Sequence, residues 1–173
     1  MELHTLADQG ALEILGVIAT SDDPYVPLCV DAINHYFDRP EIPIGVEKGI
    51  ELRHHSRYTK EISEEYKKRL HTYEEAEDAV DLYRRLLARQ PDGSVVILSI
   101  GHLTNLMRLL ESEPDEHSSL SGKELIKKRV RMWSCMGGVF QKVKRQIFID
   151  PIQGRRKSVW RNGRQRWCSP DGK

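Results

Sequence analysis

The run Ala11-Leu12-Glu13-Ile14-Leu15-Gly16-Val17-Ile18-Ala19-Thr20 constrains the fold more than any other stretch. It follows Gly10, is mostly apolar and rich in β-branched residues, and so predicts a strand buried on both faces of a parallel sheet. The polar cluster Thr20-Ser21-Asp22-Asp23 ends it. Pro27 then suits the first turn of a helix, and Val26, Cys29, Val30, Ile33 and Tyr36 recur at helical spacing through Phe37. Arg39-Pro40-Glu41-Ile42-Pro43-Ile44-Gly45-Val46 predicts a turn into a short strand, because each proline biases its predecessor toward extended geometry.

The same alternation continues downstream. Residues 47 to 69 are dense in charges and histidines and read as a long loop with some helix. Thr72-Tyr73-Glu74-Glu75 fits a capping box, after which Ala76, Val80, Tyr83, Leu86 and Leu87 form one apolar helical stripe. The turn Gln90-Pro91-Asp92-Gly93 feeds an apolar strand over 94–100, and helical spacing resumes from His102 to Leu110. A helix over Gly122–Lys128 and a strand over Val130–Cys135 lead to Met136-Gly137-Gly138. The expected fold class is α/β, a doubly wound, mostly parallel sheet with flanking helices. Ligands in such sheets bind outside the carboxyl ends of the strands. The loops Thr20 to Asp23, Ile100 to Thr104 and Met136 to Gly138 are therefore expected together at one rim.

At 173 residues the chain suits one domain, taken as 1–152, followed by a basic tail, 153–173. Residues 139 to 173 hold ten Lys/Arg and two Asp/Glu, against 17 and 24 in residues 1 to 138, so a body near −7 carries a tail near +8. Such a tail could bind phosphate backbones, with Trp160 and Trp167 stacking on bases. No stretch approaches the roughly 18 apolar residues of a membrane span, and Met1-Glu2-Leu3-His4 lacks the basic start of a signal peptide. Cys29, Cys135 and Cys168 are widely spaced without a C-x-x-C pair, so neither a zinc site nor a disulfide framework is expected. A reducing, cytoplasmic setting is the expectation, with no membrane partner.

Three segments, in order, resemble nucleoside hydrolases of the inosine/uridine-preferring type: Glu13-Ile14-Leu15-Gly16-Val17 with its polar end, Ile100-Gly101-His102-Leu103-Thr104-Asn105, and Met136-Gly137-Gly138. The second is similar to the family's I-G-P-L-T-N, and Arg39-Pro40-Glu41-Ile42-Pro43-Ile44 to its R-P-D-I-P-V, so the likeness covers roughly residues 5 to 152. The resemblance implies an open α/β fold, a ribonucleoside substrate, and hydrolysis of its N-glycosidic bond. It also implies a calcium ion that holds the ribose hydroxyls and activates water. The family's D-x-D-x-x-x-D-D calcium motif has no counterpart here. Met1 to Gly10 resembles the end of the helix that follows that motif, which places the first strand upstream of Met1. An unpaired sheet edge and association of copies through it are then expected.

Position by position, the resemblance makes Ile100 the residue whose backbone carbonyl ligates calcium, with its side chain in the core. Asp23 falls where relatives place a ribose-binding asparagine, although a helix-capping aspartate is the competing reading. Met136 matches a methionine lining the sugar pocket. His54 and His55 lie near a loop histidine of the family. Lys144-Arg145-Gln146 stands where the family has E-F-N before an I-x-x-D stretch, here Ile147-Phe148-Ile149-Asp150. The tail departs altogether. Codons for Gly154 to Lys173 permit a shifted reading that contains E-W-P-T-A-M-V-F-S-G, similar to the family's E-W-P-T-P-I-V-F-S-G, so the tail is read as an out-of-frame product rather than a nucleic-acid arm. Calcium is not expected to be held by this chain alone, and the sequence leaves open whether the chain carries out the family's reaction itself. The alternative reading is a non-catalytic α/β domain whose basic tail binds nucleic acid.

Overall fold

The computed structural model describes residues 2–48 and 56–136 in full, and the backbone of 147–151, 158–161 and 164–167. Helices and short parallel strands alternate, as an α/β chain requires. The order is α1 (Glu2–Asp8), β1 (Val17–Ala19), α2 (Val26–Tyr36), β2 (Ile44–Val46), α3 (Thr59–Glu65), β3 (Glu77–Asp78), α4 (Ala79–Ala88) and β4 (Val95–Ser99). There follow α5 (Thr104–Glu111), α6 (Gly122–Arg129), β5 (Val130–Met136), β6 (Ile147–Pro151), β7 (Ser158–Arg161) and β8 (Arg164–Trp167).

The strands form two three-stranded sheets rather than one. In the first, β1, β2 and β3 run parallel with Ile18 opposite Gly45 and Val46 opposite Asp78. In the second, β4 pairs parallel with β5, and β6 returns antiparallel along β5. The tail strands β7 and β8 make a separate antiparallel pair.

Each sheet has its own core. Ala19, Leu28, Ile44, Val46, Leu70 and Ala76 close the first, between α2 and the strands. Gly45 lets α4 lie directly on β2, since a Cβ there would fall 2.8 Å from Ile18 Cδ1 and 3.2 Å from Ala79 Cα. The second core joins Val95, Ile97 and Val130 to Val80, Leu87, Leu106, Leu109, Leu125 and Ile126, with Trp133 packed against it. Helices α4, α5 and α6 thus cover one face of β4 and β5. Trp133 reaches across that face, its Nε1–H donating to Ser99 Oγ at 2.8 Å.

Several expectations change in physically informative ways. The long first strand shrinks to Val17–Ala19, and Leu12, Ile14, Leu15, Val17 and Ile18 are only half-buried. An apolar run meant for two covered faces and two neighbours here has, among the described residues, β2 as its hydrogen-bonded strand neighbour. Helix α4 does not begin at a Thr72 capping box. Glu75 instead accepts from the His71 backbone N–H at 2.8 Å, Glu77 and Asp78 pair with β2, and Asp78 caps the helix by accepting from Val80 N–H. The reciprocal capping box is formed by Ser121 and Glu124 at the start of α6. Their mutual hydrogen bonds also hold the Glu124 carboxyl below its ordinary pKa. Gly137, Gly138, His54, His55 and Lys144 to Gln146 lie outside the described residues.

Candidate functional site

The direction of the chain brings two strand ends together. From β1 it steps through β2 to β3 in one sheet, and from β4 to β5 in the other, so β1 and β4 are the first strands of the two progressions. The carboxyl ends of these two strands meet. His102 Nδ1 lies 3.3 Å from the Thr20 carbonyl oxygen, and a Cβ on Gly101 would collide with Thr20 Oγ1. Ligands of open α/β sheets bind outside the carboxyl ends of strands, which makes this rim the candidate site.

Ile100 follows the last residue of β4, and the pairing of Ser99 with Cys135 puts Met136 beside it on the next strand. Two of the three expected rim segments are therefore in contact, and the described part of the third, Met136, stands next to one of them. Met136 is half-buried. Ile100 corrects the expectation of a core side chain: it is 74 % exposed, on the same outer face as Val96 and Leu98, because the helices cover only the opposite face.

Asp23 is 1 % exposed, and its carboxylate is fully engaged. Oδ1 accepts from Tyr25 N–H at 2.9 Å, while Oδ2 accepts from Ser56 N–H at 2.8 Å and from Thr59 Oγ1 at 2.9 Å. The helix-capping reading is met in part: Oδ1 and the Asp23 carbonyl accept from Tyr25 and Val26 N–H just ahead of α2, whose flanking residue is Tyr25. Asp23 latches the loop after β1 to the start of α3, more than 30 residues away. Replacing it with alanine removes the acceptor of three donors, Tyr25 N–H, Ser56 N–H and Thr59 Oγ1, so chemical denaturation is expected to show a loss of about 2 kcal/mol. Asp23→Asn, which keeps one acceptor oxygen, should lose less. Equal stabilities of all three proteins would sink the latch.

The residues that dominate the rim were not singled out in the sequence. Glu47 stands directly after β2, and its side chain is 1 % exposed. Arg108, from α5, donates to Glu47 Oε1 at 2.9 Å and to Asp78 Oδ2 at 3.4 Å, and Thr104 Oγ1 donates to Glu47 Oε2 at 3.4 Å. The Tyr73 hydroxyl donates to the Glu47 carbonyl at 2.9 Å. Burial raises the Tyr73 phenol above its ordinary pKa, and the negative charges of Asp22, Glu47, Glu74 and Asp78 raise it further. The hydrogen bond to Glu47 raises the Arg108 guanidinium in turn. A charge placed immediately after the apolar Ile44-Gly45-Val46 was the available signal for Glu47.

This donor set does not fit calcium, which takes six to eight oxygens. Asp23 already accepts three hydrogen bonds, Glu47 is held by Arg108 and Thr104, and Ile100 contributes one carbonyl. Among the described residues no group of three or more His, Cys, Asp or Glu side chains is placed to hold a metal. Also among the described residues, no helix is long and apolar enough to cross a membrane. Compared with protein families, with curated proteins and with solved structures, the chain matches none.

Proposed function

We propose that the chain is a nucleoside hydrolase-like α/β domain whose rim, between the carboxyl ends of β1 and β4, receives a ribonucleoside without cleaving it. The observation that carries the reading is the meeting of the two resembling segments at that rim, through His102 and Thr20. The order of the motifs along the sequence supports the family. Cleaving an N-glycosidic bond requires an activated water, stabilisation of a cationic sugar, and a proton for the leaving base. Glu47 is a buried carboxylate bonded to the rim residue Thr104, and its oxygens are already taken by Arg108 and Thr104. A carboxylate so held is a poor general base, which is why binding is proposed without turnover.

The test has two readouts. With inosine or uridine and millimolar calcium, no ribose should be released. Titration of methyl-labelled methionine protein with the same nucleosides should shift the Met136 resonance, assigned through Met136→Leu. Ribose release would overturn the absence of catalysis, and an unmoved Met136 methyl at saturating nucleoside would overturn the site.

The proposal extends to association of copies, for which the one-sided pairing of β1 is the support. Sedimentation velocity should show the mean mass rising with concentration. A mass that stays monomeric throughout would dismiss this part.

A further inference from the structure

We draw no further inference here: the strongest candidate, the apolar outer face of the β4–β5 sheet at Val96, Leu98, Ile100, Met132 and Met136, carries nothing because nothing in the structure shows what covers it.

Discussion

Arg84→Met is expected to destabilise the protein by about 3 kcal/mol, which for a chain of this size lowers the melting temperature by on the order of 10 °C. Arg84 is 2 % exposed and lies on the buried side of α4, between Val80 and Leu87. Its guanidinium forks onto Asp115, Nε to Oδ2 at 2.5 Å and Nη2 to Oδ1 at 2.8 Å. It also donates to Ser112 Oγ and to the carbonyls of Ser118 and Leu120. One side chain therefore organises the whole connection between α5 and α6. Methionine keeps much of the apolar stem and removes every donor, so those oxygens lose their partner together. The value sits at the low end for a broken buried pair because the Asp115 side chain is 29 % exposed and water can reach it.

The pH dependence of that loss identifies its cause. The Arg84 fork holds the Asp115 carboxyl at about 2, below its ordinary value near 4. A depressed carboxylate contributes stability that is present above the unfolded pKa and disappears as pH falls through the folded one. The gap between the parent and Arg84→Met should accordingly be widest above about pH 4 and should narrow toward pH 2. Urea titrations across that range decide the matter. A gap that does not narrow would mean that Arg84 acts by packing rather than by holding Asp115.

Arg84 also shows why some of this fold is legible in the sequence and some is not. Its position on the apolar stripe, four residues after Val80 and three before Leu87, was visible, but its partner lies 31 residues away in a polar loop. Local patterns succeeded where the determinant was local. The apolar runs of β4 and β5 pair in parallel as expected, and Pro27 sits in the first turn of α2. They failed where a distant contact decided. Thr72 and Glu75 have the spacing of a capping box, yet pairing of Glu77 and Asp78 with β2 keeps the chain extended and passes the cap to Asp78. Asp23 reads as a cap or a ligand until Ser56 and Thr59 claim it. Ile100 reads as core from its strand, and only the uncovered outer face of the β4–β5 sheet makes it exposed. The candidate rim follows the same division: the loops that meet there were expected from strand order, whereas the side chains that set its charge were not.

Those side chains supply the second large effect. Arg108→Ala should cost about 3 kcal/mol, because Glu47, its side chain 1 % exposed, would keep only the long hydrogen bond from Thr104 Oγ1. Two outcomes compete. Arg108 is itself 36 % exposed, so if water enters where the guanidinium lay, Glu47 hydrates and the loss falls below about 1 kcal/mol, as for a surface pair. Burial of the carboxylate decides for the larger figure, since its side chain is 1 % exposed and the Tyr73 hydroxyl pins its backbone carbonyl. Glu47→Gln in the Arg108→Ala background removes the stranded charge, and the double variant should regain part of the loss. The coupling energy from the complete cycle should exceed about 1 kcal/mol. The ion pair also ties the end of β2 to α5, so Arg108→Ala should speed amide exchange over Gly101 to Leu106 and leave α6 unchanged. If the two substitutions prove additive within a few tenths of a kcal/mol and exchange near Gly101 does not change, Glu47 and Arg108 are not coupled, and the rim is held by β1 and β4 alone.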